Sequence, residues 1–349
     1  LIINGAMQVA QRGTSSSASG GGFTCDRFGV YPSGLDEAPT QTQHTLTSSD
    51  TGPYGEGFRN SLHIQNGNQT SGAGAADNLR ILYKVEAQDI ATSGWNYTSS
   101  SSNITLSFWV KSSVAQNFYV QLRTRDTPEY NYTIETGSLT ADTWTKVTKT
   151  ITGNSNLVFN NDTGVGTEIN FWQFLGTDST GSMTLNQWAA YSGSARTPDM
   201  TSTWYTTNNA TFEVTGIQLE VGPQATPFEH RSFGDELLRC QRYFYVLCEG
   251  TNSPLGNGTC WTAANVFIPV IYPVKMRSTA SMSVATGSGY YSHFHNATGA
   301  AETGANFTQS VSTGTGCEIY DNSTNVVQGQ SCFSRNQNAS SKITFSAEL

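Results

Sequence analysis

Short stretches of strict apolar–polar alternation recur through the first two-thirds of the chain, separated by clusters of Gly, Ser and Asn. Ile104, Leu106, Phe108 and Val110 make one clean face opposite Thr105, Ser107 and Trp109. Leu79, Ile81, Tyr83 and Val85 alternate with Arg80, Leu82 and Lys84, and Phe118, Val120 and Leu122 with Tyr119, Gln121 and Arg123. Residues two apart on a strand share a face, so each such segment can bury one side as a strand, whereas a helix would scatter the same residues around its circumference. Ile169–Leu175 is apolar on both faces, as a central strand covered on both sides should be. Phe212 and Val214 share one phase and Ile217, Leu219 and Val221 the other. The switch falls at Thr215-Gly216, where a bulge would place an extra residue. The pattern predicts an all-β, antiparallel sandwich.

Composition removes several alternatives. Charged residues are 13% of the 349, against roughly 25% in ordinary domains, and the formal charge is −8. An acidic chain without clustered Lys/Arg lacks the footprint that phosphate backbones require, so nucleic acid is not an expected partner. No run of about 18 apolar residues is present, so no membrane-spanning helix is expected, and no signal peptide is visible at Leu1–Arg12. Aromatics at 11% argue against disorder. The six cysteines (Cys25, Cys240, Cys248, Cys260, Cys317, Cys332) form no CxxC pair. They read as reduced thiols packed as small apolar groups, with a Cys317–Cys332 bridge as the alternative.

The length suits about two domains. Pro223 and Pro227 punctuate the end of the alternating region. Ser232 and Asp235 then have capping-box spacing, and Phe233, Leu237, Cys240 and Phe244 follow a helical stripe. One short helix is therefore expected at a junction, between a sandwich over residues 1–230 and a smaller β-rich domain over 231–349. In the latter, Gln241–Glu249, Cys260–Ile271, Ala280–Ala285 and Ile343–Ala347 are candidate strands, with Pro269 turning the end of the second into an edge. Three connections are long: Ala10–Thr24, Asn66–Asp77 and Asn186–Asn209. The run Gly13–Gly22, nearly all Gly, Ser, Thr and Ala, reads as a flexible tether.

Several segments resemble a phage virion protein family found among tail-fibre and related appendage proteins. They are the opening Leu1–Thr14 with Cys25–Phe28, then Leu106–Ser112, Gln187–Gly193, Gly216–Gly222 through Ala225–Glu229 to Leu237–Phe244, and Tyr272–Arg277. The resemblance implies a jelly roll similar to carbohydrate-binding modules, followed by a smaller β domain, in a homotrimeric part of the virion. It supplies no catalytic residues.

For chemistry, the sequence offers candidates rather than a signature. No GxSxG or HExxH motif occurs, and no local carboxylate pair suggests glycoside hydrolysis, so no enzyme is expected. His44, His63 and His230 stand alone. His293 and His295 share a strand face, and three copies around an axis could hold a metal; otherwise they are loop-tip residues. Asn4, Asp26 and Glu220 have the oxygens for a structural calcium, unless Asp26 pairs with a base and Glu220 faces solvent. Aromatic faces that stack on sugar rings are offered by Trp95 and Tyr97, and by a long segment holding Trp188, Tyr191, Arg196, Asp199, Trp204 and Tyr205. In the C-terminal domain Trp261, Tyr290, Tyr291, Phe294 and His295 are candidates, with Trp188 expected to pack structurally. The resulting expectation is an adhesive and structural subunit on the exterior of a phage particle, probing host-surface polysaccharide by multivalent weak contacts. The alternatives are a glycan-hydrolysing tail spike and a purely architectural decoration protein.

Overall fold

The computed structural model describes residues 1–295, 301–304, 306–322 and 325–349, and for 301–304 the backbone only. The chain divides into two compact units, Leu1–Glu236 with Leu349, and Leu237–Glu348. Each is all-β apart from short helices, and its named strands all pair antiparallel.

The first unit contains β1 (Ser15–Ser17), β2 (Gly22–Phe23), β3 (Phe28–Ser33), β4 (Thr40–Thr45), β5 (Asn60–Gln65), β6 (Asn78–Glu86) and β7 (Asn103–Ser112). It continues with β8 (Asn117–Thr124), β9 (Tyr130–Ser138), β10 (Thr145–Thr152), β11 (Val165–Leu175), β12 (Trp188–Ala190) and β13 (Thr211–Val221). They form a six-stranded sheet, β1-β4-β5-β13-β7-β10, and a seven-stranded sheet, β12-β9-β8-β11-β6-β3-β2. This is a jelly-roll sandwich. The alternating apolar faces meet between the sheets: Phe108 of β7 packs edge-on against Phe171 of β11 at 5.1 Å, and Phe118 of β8 against Phe212 of β13 at 5.0 Å. The doubly apolar β11 lies in the interior of its sheet, between β8 and β6. The phase switch in β13 is a bulge, since its ladder to β7 skips from Thr215 to Gln218. Gly216 sits there at φ 63°, with the Phe58 ring 2.6 Å from where a Cβ would be, so only glycine fits.

One expectation fails here. The Gly13–Gly22 run is not a tether. It supplies β1, paired with β4, and the start of β2, and it buries Ala18, whose N–H donates to Pro39. Small residues let two edge strands lie close to the sheet, a tertiary effect that composition does not encode. The junction helix α3 (Phe233–Gln241) has company in two single-turn helices, α1 (Ala87–Ala91) and α2 (Thr203–Thr206), too short to show a helical stripe. Ser232 caps α3, its hydroxyl accepting the Asp235 N–H at 3.2 Å.

On the outer face of the six-stranded sheet, Glu213 is buried beside its ladder partners Lys111 and His63. Lys111 Nζ lies 2.8 Å from Glu213 and 3.2 Å from Asp50, while Ser61 and His44 donate to Glu213 at 2.7 and 3.1 Å. His44 and His63 are therefore neighbours, with rings 5.5 Å apart, and not the isolated residues expected. Burial pushes the Glu213 carboxyl up, but its hydrogen bonds from Lys111 and Ser61 outweigh this and hold it below the usual range; Asp50 is lowered to about 2. Both folded values lie below their unfolded ones. Their contribution is complete above the ordinary carboxylate range and is lost as pH falls through the lowered values. Lys111→Met should cost roughly 2 kcal/mol at neutral pH, less than a fully enclosed pair because Lys111 is partly exposed. The loss should shrink as Glu213 protonates, which urea unfolding across acidic pH will read.

The second unit contains β14 (Phe244–Glu249), β15 (Pro254–Cys260), β16 (Val266–Ile271), β17 (Ser281–Val284), β18 (Tyr291–Phe294), β19 (Ala301–Gly304), β20 (Thr308–Ser312), β21 (Gly316–Asp321), β22 (Ser331–Asn336) and β23 (Lys342–Ser346). They form a three-stranded sheet, β14-β23-β17, and a seven-stranded one, β19-β18-β22-β15-β16-β21-β20. The core includes Ile268, Tyr291, Ile319, Ile343 and Phe345. Pro269 lies within an interior strand, but β15 pairs only with Val266 and Phe267, so the end of β16 is an edge on that side. All six cysteines are buried thiols outside any disulfide. Among the described residues no helix is long and apolar enough to cross a membrane.

Candidate functional site

The outward residues of the seven-stranded sheet in the first unit form a polar grid fixed by register. One row runs Tyr31, Arg80, Trp172, Tyr119 and Glu135 across β3, β6, β11, β8 and β9. The next runs Leu82, Asn170, Gln121 and Thr133, and the third Lys84, Glu168, Arg123 and Asn131. Neighbours in a row stand about 4.8 Å apart and successive rows about 7 Å, the scale of a sugar ring and its hydroxyls. Tyr31 lies flat over Gly29, whose Cβ would fall 2.6 Å from the ring.

The connection between β11 and α2 closes one side of this face. Its Asn186 N–H donates to Thr133, the Thr133 hydroxyl donates to the Arg196 carbonyl, and Tyr191 N–H donates to Glu129. Tyr191 and Arg196 are thereby brought beside the grid, and the Arg123 guanidinium stacks on Tyr191 at 3.5 Å. Arg123 also pairs with Glu129 at 2.5 Å, and Arg125 with Glu129 and Glu168 at 3.3 and 3.6 Å. Arg80 lies over Trp172 at 5.1 Å.

The floor of this face carries buried polar atoms with no hydrogen-bond partner: Arg80 Nε, Gln121 Nε2, Asn170 Oδ1, Trp172 Nε1 and Arg196 Nε. Each such group costs about 1–3 kcal/mol when left unmet. Five of the 14 such atoms among the described residues gather in this patch; groups of this kind are ordinarily met by protein or by ordered water. Around them Tyr31, Arg80, Tyr119, Arg123, Tyr191 and Arg196 are only half-buried. The arrangement can accept a ligand rich in hydroxyls and acceptors, flanked by aromatic and guanidinium planes.

No protein-family model matches the sequence, and no curated protein matches it. Among solved structures the chain is similar to a CBM4 domain, with TM-score 0.26 and 14% identity over 46% of this chain and 71% of that one. It is also similar to the N-terminal cellulose-binding domain of Cellulomonas fimi β-1,4-glucanase C, with TM-score 0.30 and 12% identity over 55% and 88%. A third is the enzymatically active domain of bacteriophage CBA120 tailspike protein 4, with TM-score 0.31 and 10% identity over 63% and 21%. These are loose likenesses, and the sandwich is assigned from this chain's own strand order and register.

Most residues picked out for sugar stacking are elsewhere. Trp204 and Tyr205 are fully enclosed in α2, Tyr205 stacked on Phe174 at 4.4 Å with its hydroxyl donating to Asp77. Trp95 is buried, its indole N–H donating to Ser102, and Tyr97 packs edge-on against Phe159 at 5.0 Å. Tyr291 is fully buried, its hydroxyl donating to Ala285, while Tyr290 is half-buried. A ring whose faces are already covered has none to offer a pyranose, so Trp95, Trp204, Tyr205 and Tyr291 are core residues. Trp188 packs against Tyr132 at 5.3 Å at the sheet edge. Trp261, by contrast, is 67% exposed and abuts Phe267, which stacks on Tyr320 at 5.0 Å. Of the long segment, Tyr191 and Arg196 do reach the grid. The rest of the grid has no signature in the sequence, because it is the polar phase of strands whose apolar phase carries the alternation.

The ion candidates also resolve. His293 is not a tip residue: it is fully enclosed, with Nε2 3.2 Å from Asp321 and Nδ1 2.8 Å from Ser334. Both ring nitrogens are engaged, so it cannot serve as an axial metal ligand. His295 is buried, with Nδ1 3.3 Å from Gln330, and the segment after it, 296–300, lies outside the described residues. Ser334–His293–Asp321 has the order of a catalytic triad, but none of the three is accessible. Asn4 donates to the Asp26 carbonyl, and the Asp26 carboxylate takes Gln11 and Arg12. Glu220 takes Thr226 and Gln218, so the three do not converge as a calcium site. Among the described residues no three His, Cys, Asp or Glu side chains are placed to share a metal ion.

Proposed function

We propose that the chain is a non-catalytic glycan-binding subunit whose site is the polar grid of the first unit. The observation that carries this reading is the set of half-buried aromatic and guanidinium planes, Tyr31, Tyr119, Tyr191, Arg80, Arg123 and Arg196, that register and the connection gather on one polar sheet face. The inaccessibility of the Ser334–His293–Asp321 cluster supports binding without turnover. The segments that resemble phage appendage proteins support a place on the exterior of a virion. There, several copies, in the simplest case a trimer, would turn weak sites into firm attachment.

The test is a glycan array probed with the whole chain, followed by titration and a reducing-end assay on the best binder. Binding without release of new reducing ends is expected. Tyr119→Ala should weaken binding about tenfold by removing a half-buried aromatic face of the grid. Unaltered affinity in that variant would remove the grid as the site, and steady sugar release would replace binding with hydrolysis.

A further inference from the structure

We infer that the ligand of this face is an acidic glycan, with its carboxylate or sulfate seated between Arg80 and Arg196. The inference rests on the glycan reading above and adds the charge of the ligand to it.

The unmet atoms are unequal in kind. Guanidinium and indole nitrogens can only donate. The Arg80 and Arg196 side chains are half-buried and their guanidiniums have no acceptor among the described residues, so a ligand seated on them must be rich in acceptors. The charges point the same way. Four guanidiniums belong to this patch, on Arg80, Arg123, Arg125 and Arg196, and its carboxylates Glu129 and Glu168 are held by Arg123 and Arg125. Among the described residues, no ion pair or hydrogen bond engages the Arg80 or Arg196 guanidinium. The remaining acids near Tyr119, Glu135 and Asp199, are hydrogen-bonded by Asn117 and Thr180.

Two neighbouring cations without a bonded counter-ion are costly on a half-buried surface. Burial holds the Arg80 guanidinium below its ordinary value; Glu168 opposes this and Arg196 adds to it. In a chain of net charge −8, two adjacent guanidiniums left outside every ion pair are not a consequence of composition. The planar fork of arginine matches a carboxylate or sulfate in two parallel hydrogen bonds. Arg80 is also held by the Trp172 and Tyr31 rings, at 5.1 and 6.0 Å, so less of its freedom remains to be lost on binding.

The experiment is titration of the whole chain with polygalacturonate and its carboxyl-reduced galactan, and with dextran sulfate and dextran. At least one acidic polymer should bind about tenfold or more tightly than its neutral counterpart, and that affinity should fall about tenfold between roughly 50 and 500 mM NaCl. Arg80→Gln and Arg196→Gln should each cost about tenfold. Whichever polymer of the pair binds tells carboxylate from sulfate. If Arg80→Gln does not fold, Arg196→Gln, which lies in a connection, and the salt dependence of the unaltered protein still decide. Equal binding of acidic and neutral members, with both variants unaffected, overturns the acidic ligand and leaves the glycan reading intact. Binding to no polysaccharide overturns both. Equal affinity for duplex DNA also overturns the inference, since it would mark a surface for polyanions in general.

Discussion

Trp204→Ala should lower the unfolding free energy by about 3–5 kcal/mol and leave the glycan affinity of the folded protein unchanged. Trp204 has no exposed surface. Its indole N–H donates to the Thr211 carbonyl at 2.8 Å, its backbone N–H to Gln116 at 2.9 Å, and its ring lies 6.5 Å from both Phe118 and Phe212. Those two phenylalanines belong to opposite sheets, so the ring fills the space where the sheets meet. Truncation removes the buried area and leaves a cavity that β8 and β13 cannot collapse, because their ladders fix their spacing. Urea unfolding should show a lower midpoint with little change in slope, and titration with the array ligand should give the unaltered constant. A stable variant that no longer binds would restore Trp204 as a sugar-stacking residue.

The second large effect concerns the other unit. Asp321→Ala should destabilise it by about 3–5 kcal/mol near pH 6, because it leaves an imidazolium enclosed without its counter-charge. Burial pushes the His293 imidazole down, but the hydrogen bond it donates to Asp321 and the neighbouring Cys332 outweigh burial and hold it above its ordinary value. A raised folded value means the folded state holds the proton more tightly. The stabilisation is therefore complete below the ordinary histidine value and is lost as pH rises through the raised one. The deficit of Asp321→Ala should accordingly shrink toward alkaline pH, where the ring can be buried neutral. Asp321→Asn, which keeps a partner for the ring, should lose less. Hydrogen exchange along β18 and β22, read at acidic and alkaline pH, checks both statements. A deficit independent of pH would show that the cluster acts through packing and not through charge.

How far the sequence leads can be followed strand by strand. The apolar phase of β6, β7 and β8 was legible because one buried face leaves a period of two that no helix can share. The bulge at Gly216 was legible as a phase switch, and the Ser232 cap as a spacing. β1 and β2 were not, since their pairing depends on neighbours supplied from Thr40–Thr45 and Phe28–Ser33. The aromatic candidates misled for a related reason. A tryptophan in a Ser/Asn-rich connection looks exposed, yet such connections fold back and plug the ends of a sandwich, as α2 does with Trp204.

By itself the sequence determined an all-β, antiparallel, sparsely charged chain, because alternation and composition act locally and survive in any arrangement of the strands. Only the tertiary structure decided which polar residues meet. Arg80, Asn170, Gln121 and Arg196 come from three different strands and a connection. Their adjacency is set by strand order and register, and register joins residues far apart in the chain that no local pattern can bring together.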